Sequence, residues 1–300
     1  APYALAQLKL ALELDATGRV QVDVPDGLPQ QLEAQLQARG HLAGTDAVVD
    51  LQLALTQTGA QTGQPPALDA RARVRPWDPD QVLEQLDARV HRLDLASVWP
   101  DAPRTALSGE ARASPLGQGW QASVALDNAL PAPLDRQGLP FDRLRLDLTH
   151  EASRWQLPSF EARVGSGRLF GEASVSSDNS ALWQGPWSGR LGVERIDPAR
   201  LWGAVAPGQL DGELQARTVE AGPHAIATTF SGRLRNTVAG AQRRAPQTLP
   251  LDELELQGRW QAPIDAPAQG QLQLERLVLR ALGLQLDGQT RFDLATHQLE

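Results

Sequence analysis

The chain has 300 residues, 28 basic against 36 acidic groups, a net charge of −8, and neither Cys nor Met. The lack of Cys excludes a disulfide scaffold, a thiolate zinc site, an iron–sulfur cluster and a Cys nucleophile. The acidic balance argues against a nucleic-acid backbone as the main partner, because phosphate binding needs clustered Lys and Arg.

At about 150 residues per domain the length fits two units. Lys9 is the single lysine, and the Arg, Ala, Leu and Gln bias reads as GC-rich coding. No apolar run approaches the ~20 residues needed to span a bilayer, and the first thirty residues lack signal-peptide features. A start at Ala1-Pro2 without Met is expected of an excised or processed segment.

Taken in chain order, the dominant period is two. Leu8, Leu10, Leu12 and Leu14 alternate with polar residues, residues 15–18 read as a turn, and Val20, Val22 and Val24 follow, which predicts a hairpin. Leu32-Ala34-Leu36-Ala38 fits a strand, although residues 30–39 would suit a helix equally, and Val49-Leu51-Leu53-Leu55 fits a strand. Asp78-Pro79 is a helix start leading into residues 81–86, and residues 94–99 and 197–202 read as single helical turns. Further strands are predicted at Leu144-Leu146-Leu148, Leu254-Leu256, Leu272-Leu274 and Leu282-Leu284-Leu286. Leu277 and Leu279 have the opposite parity to Leu272 and Leu274, so a bulge near Glu275-Arg276 is required if all four share a face. The class is all-β with a few short helical turns.

Glycine recurs two positions after an apolar residue, at Gly109, Gly171, Gly189, Gly212, Gly232, Gly258 and Gly288. Mid-strand glycine weakens a strand by about 0.5–1 kcal/mol relative to Ala. Repeated, that cost points to bends or close backbone approach, with Gly109, Gly171, Gly212, Gly232, Gly258 and Gly288 expected on the concave side of a curved sheet.

A longer repeat lies above this one. Asp94-Leu-Ala96-Ser-Val98-Trp99 returns as Asp197-Pro-Ala199-Arg-Leu201-Trp202, and Leu107-Ser-Gly109-Glu110 as Leu210-Asp-Gly212-Glu213, both at an offset of 103. Leu139-Pro140 returns as Leu249-Pro250, and Arg154-Trp155-Gln156 as Arg259-Trp260-Gln261. The chain is therefore divided into an amino-terminal β-repeat segment (1–92) and repeat units at 93–195 and 196–300, expected to form one continuous elongated sheet.

Chemistry-bearing motifs are missing from the sequence. The five His are isolated, no GxSxG, GxxxxGK[ST] or HExxH pattern occurs, and Gly165-Ser166-Gly167 reads as a β-turn. No catalytic residue, metal or cofactor is expected, and the protein is read as a non-enzyme. Trp99/Trp202 and Trp155/Trp260 recur with the repeat, which favours packing.

The repeat vocabulary resembles the AsmA-like family, in its TamB branch. The resemblance is carried by the Asp-x-Ala-x-(Val/Leu)-Trp turn before Leu-x-Gly-Glu, by Val124-Ala-Leu126-Asp-Asn128 ahead of Leu-Pro-x-Asp-x-Leu-x-Leu, and by Gly165-Ser-Gly167-Arg-Leu169-Phe-Gly171. It covers most of residues 30–300 and corresponds to the repetitive middle of such proteins. It implies a β-taco, or half-pipe, with an apolar interior groove, and a periplasmic bridge-like segment carrying phospholipid between inner and outer membranes. It also implies an inner-membrane anchor outside this segment and an Omp85-family partner in outer-membrane protein assembly.

The groove lining expected is Leu144, Leu146, Leu148, Leu254, Leu256, Leu272, Leu274, Leu282, Leu284 and Leu286. About 18 strands at ~4.8 Å would give a trough of roughly 85 Å. The alternative is a structural or adhesive β-solenoid with a closed, dry core. The irregular spacing of the glycines disfavours regular rungs.

Overall fold

The computed structural model describes residues 11–22, 30–41, 47–57, 67–78, 82–97, 102–176, 185–221, 225–238, 248–263, 266, 269–293 and 298–299. The chain divides into two compact units, residues 1–132 with 137–152, and residues 133–136 with 153–300.

The described part of the first unit contains β1 (Ala11–Val22), β2 (Gln30–His41), β3 (Val48–Gln57), β4 (Leu68–Val74), β5 (Leu83–Leu93), β6 (Leu107–Leu116), β7 (Gly119–Asn128) and β8 (Arg143–Glu151). The second contains β9 (Arg154–Val164), β10 (Gly167–Ser176), β11 (Trp187–Ile196), helix α1 (Pro198–Leu201), β12 (Leu210–Ala221), β13 (Ala225–Asn236), β14 (Leu251–Pro263), β15 (Gln271–Ala281), β16 (Leu284–Asp293) and β17 (Gln298–Leu299). Within each unit every strand pairs antiparallel with its sequence neighbours, and no described pairing joins a unit's first strand to its last. The all-β, open-sheet class expected from the alternation is the class observed.

Two local expectations fail. Residues 15–18 are not a turn. β1 runs through them, with Asp15 opposite Gln37 and Gly18 opposite Ala34. Leu12, Leu14, Ala16, Gly18, Val20 and Val22 keep one parity, so an unbroken strand pairs with β2 along its whole length at no cost in pattern. Leu8, Leu10 and Val24 lie outside the described residues.

The helix expected at 81–86 is also replaced by strand: β5 begins at Leu83 and sets Leu86 opposite Ala72 and Ala113. Two neighbouring strands offer a complete ladder there, and tertiary pairing overrides the cap signal. The other helical turns are present, as a 3₁₀ turn at Leu95–Ser97 and as α1, with a further 3₁₀ turn at Leu134–Arg136.

The sequence repeat is also a repeat of hydrogen bonding. Arg92 and Arg195 both adopt left-handed backbone (φ 49 and 48) at register shifts in β5 and β11. Their amides donate to Ser108 Oγ and Asp211 Oδ1, each at 2.9 Å. Asp94 and Asp197 then cap the next turn, accepting from Ala96 N and Ala199 N, and their Oδ1 atoms also accept from Thr105 N and Gly208 N.

Each copy closes on a buried asparagine, Asn128 at 4% and Asn236 at 2% exposure. Asn128 Oδ1 accepts from Ala106 N and Leu130 N while its Nδ2 donates to Leu139 O. Asn236 makes the same three bonds with Gln209 N, Val238 N and Leu249 O. Beside the second copy, Val164, Val193 and Ile196 form a small core with Leu201 and Leu210 packed on it.

The β15–β16 turn stores strain. Leu282 and Gly283 have φ of 52 and 79, the pattern of a two-residue mirror-image turn in which Asn-Gly is favoured. Leu282 is 76% exposed and makes no compensating burial. Leu282→Asn is expected to raise stability by about 1 kcal/mol, the cost of left-handed backbone for an ordinary L-residue. Chemical denaturation of the two proteins side by side measures it.

Candidate functional site

Directly opposed residues of antiparallel strands share a face, so the registers define two faces in each unit. In the first unit the row Leu36–Leu53–Ala70–Ala88–Ala111–Val124–Leu146 crosses β2 to β8. Parallel rows place Leu144 beside Leu126 and Leu148 beside Ala122. In the second unit Phe160–Gly171–Leu191–Leu214–Gly232–Leu256–Leu277–Gly288 crosses β9 to β16, and Leu234–Leu254–Leu279–Leu286 runs beside it. From β3 to β8 in one unit and β9 to β16 in the other, no paired position on this face carries a charged side chain.

The expected lining residues fall as follows. Leu144, Leu146 and Leu148 lie together and half-buried on the uncharged face of the first unit, and Leu254, Leu256, Leu272 and Leu274 on that of the second. A register shift at Glu275 returns Leu277 and Leu279 to the side of Leu256 and Leu254. Leu284 and Leu286 share that face but are 76% and 56% exposed, and Leu282 lies in the turn outside any strand.

Of the six bend glycines, Gly109 and Gly212 sit at equivalent points beside the two repeated register shifts. A Cβ on either would meet a backbone carbonyl of the next strand, Ala125 O or Arg233 O. Gly171 and Gly258 also adjoin register shifts, Gly232 lies against the Leu214 side chain, and Gly288 has open space around it.

The opposite face carries the charge. Its ion pairs follow the ladder, with Arg73–Asp50 at 2.8 Å, Arg143–Asp127 at 2.6 Å and Arg190–Glu213 at 3.0 Å. Exposed pairs of this kind contribute about 0–1 kcal/mol each and serve mainly to fix register. An open cleft of about 770 Å³ on this face of the second unit is lined by Gln156, Glu172, Ser174, Ser188, Arg190 and Arg217 together with neighbouring strand residues.

The densest charge cluster surrounds Glu253. Its side chain is 10% exposed and takes Arg233 at 2.5 Å, Arg235 at 3.0 Å and Arg280 at 2.5 Å. The hydrogen bonds from Arg235 and then Arg233 hold its carboxyl down at about 2. A depressed carboxylate stabilises the fold above its unfolded value, about 4.3. That contribution is lost as pH falls from there through about 2. Glu253→Gln is expected to lower stability at pH 7 and to flatten the loss of stability between pH ~4.3 and ~2, read by acid titration of the circular dichroism signal.

Among the described residues no helix is long and apolar enough to cross a membrane, and no group of His, Asp and Glu is arranged to hold a metal. His150 stacks on Trp120 with ring centroids 5.8 Å apart. Trp99 and Trp183 lie outside the described residues. The arrangement defines an open antiparallel all-β protein with one charged and one uncharged face in each unit. No protein-family model, curated protein or solved structure matches the chain.

Proposed function

We propose that the uncharged faces seat phospholipid acyl chains, and that the chain acts as a bridge-like lipid-transfer segment in the periplasm, carrying phospholipid between the inner and outer membranes. The observation that carries this reading is the unbroken run of uncharged rows across each unit, with their leucines left half-buried instead of sealed under a second layer. A dry solenoid core would bury them fully. The repeat motifs shared with the AsmA-like family, in its TamB branch, support the same reading, and with it an Omp85-family partner and a role in outer-membrane protein assembly.

The physics favours passage over docking. Each buried methylene is worth about 0.8 kcal/mol, but a bilayer returns the same amount, so exchange between the two is close to neutral. Rows repeating every ~4.8 Å present the acyl chain with near-equivalent positions along the sheet. The role is binding and guidance, not catalysis.

Native mass spectrometry of the purified chain is expected to show co-purified phospholipid. Leu146→Asp and Leu256→Asp should lose that lipid while keeping the circular dichroism of the parent, because a carboxylate on an open face reaches water but is costly against acyl chains. Lipid-free parent protein, or variants that unfold, would overturn the reading in favour of a dry core.

A further inference from the structure

The charged faces of the two units differ where each opens into a cleft. The first unit's cleft, about 640 Å³, is closed on itself by ion pairs. Its three lining carboxylates, Asp50, Asp69 and Asp87, each meet an arginine, at 2.8, 3.9 and 3.6 Å. The second unit's cleft, about 770 Å³, has another chemistry. Two adjacent rows form its floor, Gln156–Ser174–Ser188–Arg217–Thr229 and Glu172–Arg190–Gln215–Ser231–Gln257. Hydroxyls and amides stand here where the first unit has ion pairs.

The polar groups of this cleft are only partly used. Ser174 and Ser188 bond each other at 3.0 Å, Gln215 Nε2 donates to Ser231 Oγ at 2.9 Å, and Arg190 reaches Glu213 at 3.0 Å. Glu172, Arg217, Thr229, Gln257 and Glu275 make no side-chain hydrogen bond or ion pair among the described residues. Glu275 is the extra residue of the bulge between β14 and β15, and it joins the lining from there. The carboxylates of Glu172 and Glu275 balance the guanidinium groups of Arg190 and Arg217, so the lining carries no net charge. The volume lies in the range of about 300–1,000 Å³ usual for small-ligand sites.

We infer that this cleft binds a neutral oligosaccharide. An anion would meet Glu172 and Glu275, and a cation would meet Arg217, so neither sign of ligand is favoured. A polyol is favoured, because each of its hydroxyls both donates and accepts and can satisfy donors and acceptors side by side. The planar, two-pronged ends of Gln257, Arg217 and Glu172 match the paired oxygens of vicinal hydroxyls. Exposed Pro158 on β9 adds an apolar surface for the C–H face of a sugar ring. An acyl chain is a poor occupant, since it would strip water from unpartnered polar groups and return no hydrogen bond. A peptide strand would seek an open sheet edge, not a sheet face.

Saturation-transfer NMR on the intact chain, with tetra-N-acetylchitotetraose and maltotetraose as probes, tests the inference. At least one of the two sugars should receive saturation from the wild-type protein. Arg217→Ala and Gln257→Ala, neither of which removes a protein–protein bond, should each lower the transfer several-fold while the circular dichroism stays that of the parent. Gln52→Ala, in the cleft of the first unit, should leave the transfer unchanged. Absence of transfer to both sugars, or a loss in Gln52→Ala equal to that in Arg217→Ala, overturns the inference. A sulfated oligosaccharide that binds more tightly than both neutral probes also overturns it and makes the cleft an anion site. Each of these failures leaves the acyl-chain reading standing, because that reading rests on the opposite face of the sheet.

Discussion

Gly212→Val is expected to destabilise the second unit by about 1–3 kcal/mol, the usual cost of forcing extra atoms into a filled space. Its Cβ position is occupied by the Arg233 carbonyl, a backbone group that cannot rotate away. Gly288→Ala is the control, because nothing lies within 4 Å of its added methyl. That change should be neutral or stabilising by about 0.4–1 kcal/mol through the unfolded chain. Urea denaturation of both proteins decides the matter. Equal effects would show that the glycines answer to strand propensity alone. The adjacent Asp211 is a poor control, because its carboxylate accepts from Arg195 N and from Thr237 Oγ1.

Asn236→Ala is expected to cost about 3 kcal/mol, because three half-buried backbone groups lose their partners together and each stranded group costs about 1 kcal/mol at the low end of the usual range. The groups are Gln209 N, Val238 N and Leu249 O. Asn128→Ala should cost a similar amount in the first unit, where Ala106 N, Leu130 N and Leu139 O are the groups released. Asp at either site keeps the acceptor, loses the donor and buries a charge, so it should not rescue. Thermal unfolding of the four variants tests this. If Asn236→Ala left the melting temperature unchanged, the repeated asparagine would be a sequence echo without structural weight.

Strand content was legible because its signal is local. Alternation at Leu144-Leu146-Leu148 or Leu254-Leu256 needs only neighbouring residues and a period of two. The parity change between Leu274 and Leu277 likewise required the bulge that the register shows at Glu275. The duplication was visible as recurring motifs, offset by 103 where the copies begin. The structure turns the repeat into matched bonds at Arg92 and Arg195, Asp94 and Asp197, and, after a gap that widens the offset, Asn128 and Asn236.

Where local and distant signals competed, only the tertiary structure decided. Residues 15–18 and 81–86 carry turn and cap residues, but long ladders on neighbouring strands satisfy more backbone groups than a turn or a short helix could. Leu282 continues the alternation of Leu284 and Leu286, yet closing the hairpin at Gly283 takes it out of the sheet. The burial of Asn128 and Asn236 was not legible locally, because two of the three groups each binds come from segments 11 to 27 residues away. The polar cleft of the second unit combines residues spread from Gln156 to Glu275, and register alone assembles it. Sequence by itself determined which residues alternate and which segments repeat, since both are properties of the chain read in one dimension. Pairing decided which alternating residues meet, since a register shift of one residue moves a side chain to the other face.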